Sequence, residues 1–233
     1  MRKELTSAEW WSQAWHRHYR AYVSRISLQA YYLNSILPRS ARVLLELGAG
    51  SFRDTAQLNR WGYTCYGTDF SRDAVMLARQ TFPEFAHQFA VAESTRLPFK
   101  DKACDICFHN GLLVCFEDNK IIEKTIMEQV RVSRIGIVCT VHNALNTQLL
   151  HRFNALAKHD PLYEIRFFTP EELISLLTPY CSSVVLYPYG YPWCNRVAKY
   201  SRNRHLVRLF YRLTYRHWDW TKCERIMAVG WLQ

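Results

Sequence analysis

The apolar run Val43-Leu44-Leu45-Glu46-Leu47 ends in Gly48-Ala49-Gly50, and a second run, Tyr63 to Thr68, ends in Asp69 one strand–helix unit later. A short, nearly continuous apolar run is the pattern of a strand buried on both faces of a parallel sheet. Residues 54 to 61, between the two runs, carry the polar and apolar spacing of a helix. Gly48 and Gly50 let the backbone turn sharply and let a ligand approach where a Cβ would block it, with helix N–H groups pointing into the gap. A carboxylate delivered to the same edge by the next strand can accept both hydroxyls of a ribose. The pairing constrains the chain to a doubly wound α/β sheet with a nucleoside-binding crevice.

The rest of the chain fits that frame. Its 233 residues and 49% hydrophobic content support one sizeable core. Strands are expected at 42–47, 63–68, 86–91, 104–109, 134–141, 181–188 and 225–232, alternating with helices at 53–61, 72–81, 119–132, 144–157 and 170–178. The last of these helices is marked by Thr169 as N-cap, Pro170 in the first position and acids at Glu171 and Glu172. Residues 7–36 read as helix, interrupted near Arg20 to Ser24, with Trp11, Trp15, Tyr19, Tyr22 and Ile26 at helical spacing. Such a stripe is more often buried packing than a substrate box.

The glycine spacing argues against a dinucleotide, whose fingerprint needs a third glycine where Arg53 stands. The stretch from Glu46 to Asp69 instead resembles motif I and the following acidic motif of class I S-adenosylmethionine-dependent methyltransferases. Two further stretches are similar to the third and fourth motifs of that family: Ala92-Glu93-Ser94-Thr95-Arg96-Leu97-Pro98-Phe99, and Ala103 to Leu113 with its centre at His109-Asn110-Gly111-Leu112. Phe167 to Leu173 resembles a helix start of the small-molecule, type 11/25-like branch. The resemblance implies a Rossmann-like, seven-stranded, mostly parallel sheet with an antiparallel last strand, helices on both faces, and a helical lid at 1–37 ahead of a methyltransferase domain at 38–233. It also implies S-adenosyl-L-methionine as cofactor, with S-adenosyl-L-homocysteine as product. Gly48, Ala49 and Gly50 would then line the methionine moiety, Asp69 would hold the ribose and Phe70 would pack on the adenine. Glu93, with Ser94 beside it, would meet the adenine amino group. Glu46 would reach the cofactor amine, and His109 and Asn110 would lie beside the reactive methyl. One departure is Phe52 in place of the third motif I glycine, which is expected to narrow the pocket or alter loop closure.

Methyl transfer from a sulfonium needs alignment and exclusion of water more than a dedicated base. Where a proton must leave, His109 and His142 are candidate catalytic residues because both lie at expected strand ends. Each is otherwise a hydrogen-bonded structural histidine. Asn143 is a candidate for orienting the acceptor, although asparagine is also common where strands turn into loops. Methyltransferases acting on nucleobase amines typically carry an Asn-Pro-Pro-Tyr-like run at the fourth motif, and the His109-Asn110-Gly111-Leu112 run lowers that reading. A small organic acceptor is expected, as in many biosynthetic enzymes. Trp11, Trp15, Tyr19, Tyr189 and Tyr191 are candidate substrate contacts in a partly apolar pocket.

The formal net charge of +10 favours an acidic group on the acceptor or its carrier, an anionic membrane surface or a nucleic acid. Residues 188–222 read as an insertion whose basic helix, 199–218, carries Arg204, Arg208, Arg212 and Arg216 one turn apart. A solvated basic face is the plainer reading of that stripe; a contact surface for a carrier, a membrane or RNA is the sharper one. An RNA methyltransferase and a non-catalytic cofactor-binding module are the competing functions. The eight cysteines are expected to stay reduced, and Cys104 and Cys107 flank strand residues rather than form a zinc knuckle, so no metal is expected. With no apolar run near 18 residues and no signal-like N-terminus, the expected location is the cytoplasm.

Overall fold

The seven apolar runs become the seven strands of one sheet. The computed structural model describes residues 7–232, so residues 1–6 of the expected lid lie outside the described residues. The strands are β1 (Val43–Leu47), β2 (Thr64–Asp69), β3 (Phe89–Val91), β4 (Cys104–Asn110), β5 (Ser133–His142), β6 (Ser183–Tyr189) and β7 (Arg225–Trp231), in the order β3-β2-β1-β4-β5-β7-β6. All neighbours pair in parallel except β7, which runs antiparallel to both β5 and β6. The C-terminal ends of the other six strands and the N-terminal end of β7 therefore share one edge. The strand order reverses between β1 and β4 on that edge, which is where ligands bind in doubly wound sheets.

Helices α1 (Ala8–Val23) and α2 (Leu28–Ile36) precede the sheet, and α3 (Arg53–Arg60) and α4 (Arg72–Thr81) follow β1 and β2. Next come α5 (Asn119–Val132), α6 (Thr147–Ala157), α7 (Pro170–Leu177), α8 (Pro192–Ser201) and α9 (Arg204–Thr214). One core packs Tyr32 and Leu33 of α2, Leu58 of α3, Cys194 of α8 and Val207 and Tyr211 of α9 against Leu44, Ile106, Phe108 and Val138. The opposite face packs Ile122 and Ile126 of α5 and Leu173 and Leu177 of α7 against Leu45, Leu47, Cys107 and Ile137. The strand alternation that separates these two sets is the period-two geometry of a pleated sheet.

Local chemistry sets the helix starts near the sheet edge. The Ser71 hydroxyl accepts from the Ala74 N–H at 3.3 Å, and that of Thr169 from the Glu172 N–H at 3.2 Å. Caps of this kind contribute ~1 kcal/mol each. The stretch expected as one basic helix over 199–218 is two helices, broken at Arg202, which adopts φ +48°. Asn203 caps the second by accepting from the His205 N–H at 2.9 Å, and Arg216 falls beyond α9 in a short 3-10 turn. The four-arginine stripe is correspondingly divided. Arg204 bonds the carbonyl of Trp61, and Arg212 bonds that of Ser35 at 2.9 Å, tying α9 to the body of the protein.

Candidate active site

At the β1–β2 end of the edge, Gly48 and Gly50 have φ of +57° and +52°, left-handed values that disfavour any side chain. Protein groups make the close approaches that these glycines permit. A Cβ on Gly50 would collide with the indole of Trp15, and one on Gly48 would lie 2.8 Å from Cδ1 of Leu112. Helix α1 thus lies across the glycine loop. The Tyr19 hydroxyl donates to the Ser51 carbonyl at 3.3 Å, Ser12 meets Ser71 at 3.2 Å, and Trp11 stacks on Trp15 with ring centroids 6.1 Å apart.

Asp69 is 5% exposed and accepts the N–H groups of Gly50 at 2.8 Å and Ser71 at 2.9 Å, one on each oxygen. Burial pushes its carboxyl from 3.8 up to about 6, and no cation lies within ion-pair distance among the described residues. A buried carboxylate held by backbone donors, with lone pairs left on both oxygens and no counter-ion, suits neutral hydroxyl donors such as those of a ribose. Glu46 is also buried; its Oε2 accepts from the Thr55 N–H at 3.0 Å and from the Thr55 hydroxyl, so any contact with a cofactor amine falls to Oε1. Desolvation and neighbouring Asp54 hold Glu46 well above the usual carboxylate range. Phe70 is half-buried beside Asp69 and Glu93 is exposed just past β3, while Ser94 shares a 3.4 Å contact with Thr125.

Phe52 does not narrow this crevice. It caps α3 at φ +54° and is completely buried in a cluster with Ala56, Val75, Ala78 and Phe89, whose ring centroid lies 4.7 Å away. Gly67 is its complement, since a Cβ there would lie 2.7 Å from Phe52 Cδ1. The departure from the third motif I glycine is a packing exchange beneath β2.

The other end of the edge is organised around Arg225, the first residue of β7. Its register partners are His142 on β5 and Tyr189 on β6, so the three side chains share one face. Arg225 donates to the Asn110 side-chain carbonyl, Asn110 Nδ2 donates to Asp54 at 2.8 Å, and Asp54 also accepts from Ser27 and lies 3.5 Å from Arg53. The guanidinium lies 5.7 Å from the centre of the Tyr189 ring, which itself packs on Tyr32 at 4.3 Å. Among the described residues no carboxylate pairs with Arg225. His142 lies between Phe153 and Phe167, at 5.0 and 5.4 Å, with Tyr163 behind Phe153 at 5.4 Å.

The two candidate histidines are both fixed in the neutral form. Burial and then the Arg225 charge lower His109 to about 3 and His142 well below the ordinary value. Nδ1 of His109 accepts the Leu112 N–H at 3.3 Å, which puts the ring proton on Nε2. His109 Nε2, His142 Nδ1 and the side-chain oxygen of Gln29 are buried polar atoms without a protein partner. Orphaned polar atoms of this kind call for a polar ligand or water, and the free lone pairs of Asp69 suit the hydroxyls of a nucleoside-bearing methyl donor.

Asn143 and Tyr191 are both engaged within the scaffold. Asn143 is fully buried and donates to the carbonyls of Trp220 and Cys223 at 2.8 and 3.1 Å, while its oxygen accepts the Leu145 N–H at 3.0 Å. Tyr191 stacks on Trp218 at 4.8 Å and 16°. Arg225, Asp54, Ser27, Phe153 and Phe167 were not singled out by sequence reasoning. The one available signal was a cation heading the otherwise apolar run Ile226 to Trp231. All eight cysteines are free thiols, and the described residues contain no group of three or more His, Cys, Asp or Glu able to hold a metal ion.

Residues 45–138, which span β1 to the middle of β5, match the family Methyltransf_11, described as a methyltransferase domain. A methyltransferase from Haloferax volcanii, solved with the Trm112 methyltransferase activator, superposes with a TM-score of 0.65 at 16% identity, over 94% of this chain and 96% of that one. A SAM-dependent methyltransferase from Thermotoga maritima gives 0.61 at 18% identity over 95% and 94%. Geranyl diphosphate C-methyltransferase from Streptomyces coelicolor A3(2), solved with S-adenosyl-L-homocysteine, gives 0.58 at 14% identity over 88% and 78%. Identities this low speak to the fold alone. No curated protein matches the sequence. The matched domain contains the glycine loop, Asp69 and the end of β4, and the strand order completes the architecture around them: residues 45–138 are a methyltransferase domain, set in a sheet with the fold of S-adenosyl-L-methionine-dependent methyltransferases.

Proposed function

We propose that the enzyme methylates a small organic acceptor bearing an acidic group, with Arg225 as the anchor for that group. The observation that carries this reading is an arginine without a carboxylate partner at the mouth of the sheet, one register step from the aromatic enclosure of His142, Phe153 and Phe167. A guanidinium offers five donors, and Asn110 takes only one of its N–H groups, so a carboxylate or phosphate can be held by the rest. The aromatic rings suit an apolar body attached to that anion.

The cofactor supplies an electrophilic sulfonium methyl. Asp69 holds the ribose, the Gly48–Gly50 loop accommodates the methionine end, and α1, through Trp15 and Tyr19, covers the loop as a lid that keeps water out. His109, neutral at physiological pH, presents an Nε2 proton as a buried donor; a group that protonates only near 3 is a poor proton acceptor. Catalysis in this reading is alignment of an acceptor atom whose lone pair is free at neutral pH, with Arg225, Asn110 and Tyr189 setting its position.

The test is release of S-adenosyl-L-homocysteine with a panel of carboxylate- and phosphate-bearing acceptors, each paired with its neutral amide or ester. Turnover confined to the acidic members, and loss of that preference in Arg225→Gln with cofactor binding intact, is the expected result. Preference for the neutral members would refute the reading. RNA methylation is the second reading, favoured by seven Lys or Arg and no Asp or Glu between 192 and 217. Methyl incorporation into RNA with steeply salt-dependent binding would establish it in place of the first.

A further inference from the structure

We propose that α9 seats the enzyme on an anionic lipid surface through Leu206, Leu209 and Leu213. These side chains are 48%, 57% and 68% exposed, whereas Val207 and Tyr211 of the same helix are 0% and 1% exposed. At 100° per residue the three leucines form one stripe centred about 150° round the helix from the buried pair. A helix needs one apolar face to join the core, and α9 has two.

The surroundings of the outward stripe are cationic. Exposed Arg212 borders it on one side, Arg216 is exposed in the short turn after α9, and α8, joined to α9 through Arg202 and Asn203, carries exposed Arg196 and Lys199. Exposed Trp193 and Tyr200 on α8, at 60% and 79%, add side chains that partition to membrane interfaces. An aliphatic stripe beside a cationic strip is the composition of a helix that lies in an interface plane, with leucines at the acyl boundary and arginines reaching the headgroups. No helix among the described residues is long and apolar enough to cross a membrane.

Other occupants fit less well. A second copy would bring the same cations against each other across an isologous contact, with no acid between 192 and 217 to answer them. RNA would engage the arginines and aromatic rings but has no use for three aliphatic side chains turned to solvent. The surface is also preformed: Arg204 and Arg212 bond the carbonyls of Trp61 and Ser35, and the Tyr211 hydroxyl donates to Pro188 at 3.0 Å. The helix therefore meets a bilayer already folded. This proposal is independent of the acceptor chemistry.

The full chain is sedimented with vesicles of phosphatidylcholine alone and with vesicles in which one third is replaced by phosphatidylglycerol. Binding to the anionic vesicles only, weakened about tenfold or more by the double substitution Leu209→Gln and Leu213→Gln, is expected from loss of the inserted apolar area. The same variant is expected to keep its circular dichroism and cofactor affinity. Absence of binding to anionic vesicles, or binding indifferent to the leucines, overturns the proposal. So does a leucine-dependent dimer in light scattering, or leucine-dependent binding of a single-stranded oligonucleotide.

Discussion

The two ends of one sheet edge are built in different ways. At the cofactor end, Asp69 meets Gly50 across 19 positions of sequence, within a single strand–helix–strand unit. At the proposed acceptor end, Arg225 reaches Asn110 across 115 positions and Asn110 reaches Asp54 across 56. The first site depends on backbone: left-handed glycines, a capped helix and N–H groups aimed at a carboxylate. The second depends on side chains drawn from α2, α3, β4, β5, β6 and β7. A local motif can specify the first constellation, whereas the second, the proposed acceptor site, exists only once the whole sheet has assembled.

Substitutions at the two ends should separate stability, donor binding and acceptor selection. Phe52→Ala is expected to have the largest effect, ~3–5 kcal/mol of lost stability in urea unfolding, because a fully buried aromatic is removed. Its cofactor affinity under folded conditions should hold, since the ring packs beneath β2; a change in affinity without a change in stability would return Phe52 to the crevice. Asp69→Ala is expected to weaken cofactor binding by ~1.5–3 kcal/mol in calorimetry, the value of hydrogen bonds to a charged acceptor. Unchanged affinity would remove Asp69 from the donor site.

A smaller effect is expected from pH. Burial raises Asp69 to about 6, so its ionised form destabilises the folded chain, and its contribution to stability falls as pH rises from 3.8 through about 6. Ribose hydroxyls need that ionised form, and cofactor affinity should therefore decline as pH falls below about 6. In Asp69→Asn the decline should disappear; an identical pH profile in that variant would assign the titration elsewhere. His109 has the opposite sign. Its lowered value makes a stabilising contribution that is complete above 6.5 and lost as pH falls toward about 3.

The sequence made the β1–β2 end of the edge legible because its signals are local. The runs 42–47 and 63–68 anticipated β1 and β2 to within a residue at each end, and Thr169 with Pro170 announced α7. Strand period and capping chemistry act over a few residues and can be read there. The break at Arg202 was hidden because a left-handed arginine carries no glycine or asparagine signal of its own; only Asn203, the cap of α9, hinted at it. The glycine loop was read from its local sequence, whereas the close approaches that Trp15 and Leu112 make to it come through contacts that span the chain. Asn143 looked like an acceptor contact because its amide stands at a strand end, and only the fold shows both donors and the oxygen already engaged.

The most direct test of this division is steady-state kinetics of Arg225→Gln on an acid-bearing acceptor, measured beside calorimetric binding of S-adenosyl-L-methionine. We expect kcat/KM for that acceptor to fall by ~1.5–3 kcal/mol of transition-state binding, with its neutral analogue unaffected and the cofactor affinity unchanged. Equal losses for acidic and neutral acceptors, or a loss confined to cofactor binding, would contradict the assignment of Arg225 to the acceptor end.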